Sequence, residues 1–168
     1  RDAFKDPKVI ERIQQLTPAQ LSTLIKRFPS DEQETIATIL EELKTRKIRN
    51  LAQDDFMEFV HAVWPTFIHG RHHEKMAQAF QRVAEGKVKR LIINMPPRHT
   101  KSEFASYLFP AWFLGKFPQK KIIQTAHTAE LAVGFGRKVR NLVNSPDYQA
   151  VFPTKLSSDS KAAGRWNT

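Results

Sequence analysis

Lys101 and Ser102 are the residues of this chain whose types and position point most directly to chemistry. They follow a tight turn rich in proline and basic residues. That turn follows residues 90–94, whose apolar centre is short enough for a buried strand. An apolar segment of helical character comes next, so the order is that of a phosphate-binding loop. In such a loop the lysine reaches the β- and γ-phosphates of a nucleotide, the serine hydroxyl ligates Mg²⁺, and N–H groups at the helix start face the anion. An ordinary strand–turn–helix with an exposed lysine is the alternative.

The turn departs from the strict pattern G-x-x-x-x-G-K-[ST] at both glycine positions, where this chain has Met95 and Thr100. Glycine lets the backbone adopt a positive φ, whereas a left-handed conformation at the β-branched Thr100 is expected to be strained. The predicted ligands are ATP and Mg²⁺, with Ser102 as the Mg²⁺ ligand. The predicted nucleotide-binding residues are Met95, Pro96, Pro97, Arg98, His99, Thr100, Lys101 and Ser102.

Residues 91–103 resemble the Walker A segment of large terminase subunits, the DNA-packaging motors of tailed bacteriophages. A Leu-Ile-Ile-Asn strand is followed there by Met-Pro-Pro-Arg-His-x-Lys-Ser-Glu. Two further regions resemble the same family in the same order, one upstream at 67–76 with 86–90 and one downstream at 121–132 with 135–140. The resemblance covers residues 52–168, and members of the family usually carry glycine where this chain has Thr100.

The resemblance implies an α/β fold of the ASCE P-loop type, with parallel strands in the core and a small helical region before it. It implies an ATPase that couples ATP hydrolysis to translocation of double-stranded DNA into a capsid, in a parent protein that is also an endonuclease. Lys101 and Arg98 are then the catalytic residues, with Arg98 stabilising charge from within the loop. The implied partners are double-stranded DNA, a small terminase subunit and a portal protein. The implied assembly is a ring of identical subunits at the viral procapsid in the host cytoplasm.

Two other interpretations stay open. A superfamily 2 helicase-like translocase shares the same strand–helix–strand core, and Met95 and Thr100 favour a non-catalytic DNA-binding or assembly module with a degenerate loop. ATP hydrolysis also needs an acidic residue after a third apolar strand and a carboxylate that orients water. No apolar segment ending in an acid follows Ser102, and the acidic cluster of a nuclease is missing. The chain alone is therefore expected to bind nucleotide weakly and to hydrolyse it poorly.

The net charge of +10 is unevenly distributed. Residues 1–85 hold 13 basic and 13 acidic side chains, whereas residues 86–168 hold 14 basic and only 4 acidic ones. A basic half that contains the phosphate loop indicates a polyanionic partner, while a solubilising surface is the simpler alternative. The absence of cysteine excludes disulfides and thiolate metal sites and suits a reducing cytoplasm. No apolar run approaches the ~20 residues of a membrane span, so no membrane association is expected.

The elements that must position the loop follow from hydrophobic spacing and capping signals. The sequence predicts a helical appendage over 1–50 and the N-terminal portion of the ATPase domain over 51–168. A second strand is predicted at 122–126, which with the strand before the loop would form a parallel βαβ unit. Thr17, the Asp54-Asp55 pair and Thr128 are the predicted helix N-caps. Helices are predicted near residues 7–13, 17–28, 32–47, 54–64, 72–83, 104–115 and 128–143.

Pro110 is predicted to kink or divide the helix after the loop, and Gly115 to end it. His72 and His73 are interpreted as an exposed pair at a helix start. They are not interpreted as metal ligands, because adjacent helical residues point about 100° apart and no third ligand has suitable spacing. By resemblance, the 67–75 region lies near the adenine ring of the nucleotide, where an aromatic or histidine face could stack; this is the alternative to the exposed pair.

Four cations beyond the loop have two interpretations. The three on the predicted helix 128–143 are either a solvated helix face or include one that contacts DNA or the nucleotide of a neighbouring subunit. The fourth, near the end of the chain, is either an ordinary loop arginine or, by resemblance, an arginine finger donated to the adjacent subunit. Residues 154–168 are predicted to form an exposed loop. The four cations are Arg137, Lys138, Arg140 and Arg165.

Overall fold

The structure is a computed structural model that describes residues 7–157 and 165–167. Helices make up most of this part of the chain, with two longer non-helical connections at 85–100 and 117–128. The chain divides into two compact units at a boundary between Arg49 and Asn50. The third helix crosses this boundary, because it begins in the first unit and ends in the second.

The first unit is built from helices whose starts are encoded in the local sequence. Its elements are α1 (Pro7–Gln14), α2 (Pro18–Ile25) and the first part of α3 (Ser30–Asp54). The predicted N-cap at Thr17 is confirmed: its hydroxyl accepts the N–H of Gln20, and the Gln20 side chain accepts the N–H of Thr17. A small core of apolar side chains closes the unit: Ile13, Leu21, Ile36 and Leu40.

The second unit contains the candidate phosphate loop and the larger core. The predicted caps are confirmed at Asp55, which accepts the N–H of Glu58, and at Thr128, which accepts the N–H of Leu131. Its helices are α4 (Phe56–Val63), α5 (Arg71–Ala84), α6 (Lys101–Glu103), α7 (Phe109–Lys116), α8 (Ala129–Val143) and α9 (Pro146–Val151), and a π-helical turn (Phe104–Leu108) joins α6 to α7. The sequence prediction missed α9, although Ser145 caps it and Pro146 occupies its first position.

Aromatic rings form the centre of this second core. Phe56 is 1% exposed and packs edge-on against Phe80 and Phe104, with ring centroids 5.7 and 5.6 Å apart. Trp112 is fully buried and donates its Nε1–H to the carbonyl of Ala52 at 3.0 Å. These contacts fix the helical run 101–116 against α4 and α5, and with it the position of the candidate loop.

The predicted α/β fold with parallel strands is wrong for the described residues, which contain no β-strand. The predicted strands at 90–94 and 122–126 lie in irregular chain, which extends over the segments 91–96 and 121–126. Strand hydrogen bonds belong to a neighbouring segment, and no backbone–backbone hydrogen bond within the described ranges involves either segment. Ile92 and Ile123 are accordingly 86% and 90% exposed. An apolar run identified the segments, but it does not supply a pairing partner.

Pro110 divides the helix after the loop, as the sequence predicts. Proline has no N–H, so the carbonyl of Ser106 loses its α-helical partner. A π-helical turn forms here, in which the N–H of Phe109 bonds to the carbonyl of Phe104. The side-chain amide of Gln124 donates to the Ser106 carbonyl at 2.7 Å. Gln124 thereby ties the segment 121–126 to this helix.

Gly115 does not end the helix, contrary to the prediction, because α7 continues through Lys116. Packing explains why glycine stands there. A Cβ at this position would lie 2.4 Å from the ring of Phe152 and 2.7 Å from the hydroxyl of Tyr148. The glycine allows α9 and the residue after it to approach α7 closely.

Candidate phosphate-binding loop

Two residues of the candidate loop have a left-handed backbone. Arg98 has φ 63° and Thr100 has φ 55°, and no other described residue except glycine has a positive φ. Thr100 therefore adopts the conformation that its glycine counterpart in the strict pattern would provide, and it precedes the helical Lys101 directly. A left-handed residue followed by a right-handed one turns successive N–H groups toward one concavity, the arrangement called a nest.

Lys101 folds back across the loop. Its Nζ donates to the carbonyl of Met95 at 3.2 Å, so the ammonium group lies between the first and last turns of the loop. An ammonium has three donors and this contact uses one of them, which leaves donors for an anion. The N–H groups of the first helical turn, 101–103, face outward from the N-terminal end of the helix, where the helix dipole favours negative charge.

The other predicted loop residues differ in exposure. Met95 packs against the aromatic core and is half-buried, while Pro96, Pro97 and the side chains of Arg98 and Ser102 are exposed. His99 is exposed and its Nδ1 lies 2.9 Å from the carbonyl of Pro97. The structure thus gathers Thr100, Lys101 and Ser102 at one helix start and leaves Arg98 pointing to solvent.

His73 is the residue that sequence reasoning missed. It is 5% exposed, so its interpretation as one of an exposed pair is wrong. Nδ1 accepts the N–H of Gly70 at 2.9 Å, and Nε2 lies 2.5 Å from the hydroxyl oxygen of Thr100. Its ring packs against Phe67 and Phe104 at centroid distances of 4.7 and 5.2 Å. A histidine three residues after a glycine at a helix start resembles a capping box, which is the only signal the sequence offered.

Burial and neighbouring imidazoles keep His73 uncharged at neutral pH. Desolvation is the larger cause, and His72, His69 and His99 add repulsion, so that the pKa of His73 falls from 6.5 to about 4. The rings of His72 and His99 are 5.8 Å apart, which places a second imidazole pair beside the loop. No group of three or more His, Cys, Asp or Glu in the described ranges is arranged to hold a metal ion.

The cations outside the loop have different surroundings. Lys138 on α8 pairs with Glu103 at 2.9 Å and lies 5.9 Å from the ring of Tyr107. Glu103 is the acidic side chain at the helix start after the loop, and this ion pair neutralises its charge, so that it repels a nearby anion less. Arg137 is exposed, and Arg140 bonds to Asn141 at 3.3 Å. Arg165 lines a cavity of about 680 Å³ between α7, residues 118–124 and α8, and none of the eight loop residues lines that cavity.

No family model matches this chain, and no curated protein or solved structure matches it significantly. No helix formed by residues 7–157 or 165–167 is long and apolar enough to cross a membrane.

Proposed function

We propose that residues 95–102 bind the phosphates of ATP together with Mg²⁺, and that the chain is the nucleotide-binding part of an ATP-driven motor that packages viral double-stranded DNA. In this proposal Lys101 neutralises phosphate charge, Ser102 ligates Mg²⁺, and the N–H groups after Thr100 bind the β-phosphate. Arg98 reaches the transferring phosphoryl group from the exposed side of the loop. A small terminase subunit, a portal protein and identical neighbouring subunits are the proposed partners.

One observation carries the nucleotide part of this proposal: Thr100 is left-handed directly before the helical Lys101, and the Lys101 ammonium spans the loop. A left-handed β-branched residue costs roughly 1–3 kcal/mol, and strain of this kind is concentrated at functional sites. A loop that only connected two elements would have no need of it. The proposal draws on this local geometry and on the resemblance, and not on a sheet.

A non-catalytic module that binds nucleic acid is the second candidate. The irregular segments 91–96 and 121–126 favour it, because a motor must transmit force through a rigid core and these segments have no backbone pairing among the described residues. The 14 basic and 4 acidic side chains of residues 86–168 suit either candidate. Dependence of nucleotide binding on particular residues therefore separates the two.

The decisive test is Mg²⁺-dependent binding of a fluorescent ATP analogue to the chain and to Lys101→Ala. A charge-assisted hydrogen bond contributes about 1.5–3 kcal/mol, so the variant is expected to bind roughly 10- to 100-fold more weakly. Lys121→Ala is the matched control, because it removes the same charge from an exposed position outside the loop. Ser102→Ala is expected to bind with little dependence on Mg²⁺.

Equal losses in Lys101→Ala and Lys121→Ala would mean that the analogue is attracted by general charge, as the binding module predicts. An unchanged affinity in Lys101→Ala would contradict the nucleotide site directly.

A further inference from the structure

The imidazole of His73 connects two turns through its two ring nitrogens. Nδ1 accepts the N–H of Gly70, and a backbone N–H can only donate, so Nδ1 carries no proton. The neutral imidazole therefore carries its proton on Nε2, and Nε2–H donates to the Thr100 hydroxyl oxygen 2.5 Å away. The bond from the Gly70 N–H to Nδ1 thus makes Nε2 the donor in the bond to Thr100.

Thr100 has a backbone that needs such support. Its φ of 55° and ψ of 9° lie in the left-handed region, which is strained for a β-branched residue. The net stabilisation from a hydrogen bond is of the same order as this strain, so the His73 contact can offset much of it.

The imidazole is itself held in place, which makes it a suitable support. Phe67 and Phe104 pack against its ring, and only 5% of the residue is exposed. A Cβ at Gly70 would lie 2.9 Å from the ring of His72, so the turn that offers its N–H to Nδ1 is tightly packed as well. Because the imidazole is fixed, its bond to the Thr100 hydroxyl would be lost if the loop relaxed to another backbone conformation.

We infer that His73 is a positioning residue for the phosphate loop: its Nε2–H bond holds Thr100 left-handed and so aims the following N–H groups at a bound phosphate. The role of the phosphate in this inference rests on the proposed function. His73 compensates for the absence of the glycine that the strict pattern has at position 100, because glycine adopts this conformation without a hydrogen-bond partner. A chain with glycine there would not need this histidine.

Two substitutions at position 73 separate the two bonds. Asn places its amide oxygen near the Nδ1 position and keeps the Gly70 bond, while Gln places its amide nitrogen near the Nε2 position and keeps the Thr100 bond. His73→Asn is expected to weaken Mg²⁺–ATP analogue binding roughly 10-fold, about 1.4 kcal/mol, and His73→Gln to retain most of the affinity. Loss of affinity in Gln with retention in Asn would overturn the inference.

A Thr100→Gly background tests whether His73 acts through Thr100. In this background His73→Asn is expected to have no effect on affinity, because glycine needs no support. An equal loss in both backgrounds would mean that His73 affects the fold in general, and would overturn the inference. Thr100→Val, which lacks the hydroxyl, should bind as weakly as His73→Asn.

The same pair of substitutions gives a readout without nucleotide. In urea unfolding, His73→Asn and Thr100→Gly are expected to couple by roughly tenfold in the unfolding equilibrium constant. Absence of this coupling would overturn the inference whatever the nucleotide result. Coupling without any Lys101-dependent binding would instead support the positioning of Thr100 and overturn the proposed function.

Discussion

His73 makes the stability of the second unit depend on pH. Its pKa is about 4 in the folded chain against an ordinary value of 6.5, so between these values the unfolded chain binds more protons. The contribution of the neutral imidazole is therefore complete above pH 6.5 and is lost as the pH falls toward 4. Protonated Nδ1 would also face the Gly70 N–H, donor against donor. We expect the urea concentration at the unfolding midpoint to decrease as the pH is lowered from about 7 to about 4.5.

The control for this prediction is His73→Gln, which keeps all other titrating groups. Its midpoint is expected to fall less than that of the unchanged chain over the same range. Parallel curves for the two proteins would contradict the assignment of this pH dependence to His73. The titratable groups whose charge acts on the imidazole are His72 on its own helix, His69 in the segment before it, and His99 in the loop.

At the scale of elements, two helical glycines are expected to respond to the same substitution with opposite signs. Alanine gains up to about 1 kcal/mol over glycine in a helix interior. At Gly134 in α8 nothing lies within 4 Å of a new Cβ, so Gly134→Ala should stabilise the chain by about 0.5–1 kcal/mol. At Gly115 the new methyl would lie 2.4 Å from the Phe152 ring, and overpacking of about 1–3 kcal/mol should exceed the helix gain. Thermal unfolding of both variants checks the signs, and stabilisation by Gly115→Ala would show that α7 and residue 152 can separate freely.

Capped helices were predictable from the sequence because their causes are local. Thr17, Asp55 and Thr128 each bond to an N–H three residues later, and spacing alone reveals such a pair. The predicted sheet failed because pairing is decided between distant segments, which an apolar run cannot specify. His73 was missed for a related reason: its partner Thr100 is 27 residues away. The candidate loop could be located from the sequence, but its supporting residue could not.

At the scale of the whole molecule, charge and architecture are divided differently. The boundary of the two compact units falls between Arg49 and Asn50, whereas the basic excess begins only after residue 85, within the second unit. The segment with 14 basic and 4 acidic side chains contains the candidate phosphate loop, α7 and α8. A polyanion such as duplex DNA would therefore be attracted to this part of the second unit and not to the neutral first half.

This attraction predicts a particular salt dependence. If the basic half binds duplex DNA, the logarithm of the binding constant should fall linearly with the logarithm of salt concentration, by about 0.9 per phosphate contacted.

Two neighbours on α8 provide a matched pair. Arg137 is exposed and makes no ion pair with a described residue, whereas Lys138 is paired with Glu103 at 2.9 Å. Because a cation already neutralised by a carboxylate displaces fewer counterions from DNA, Arg137→Ala should reduce the slope by about 0.9 and Lys138→Ala by less. Fluorescence anisotropy with a labelled duplex at several salt concentrations measures both slopes. A flat salt dependence in the unchanged chain would assign the basic half to solubility, and equal reductions in the two variants would contradict the role given to the Lys138–Glu103 pair.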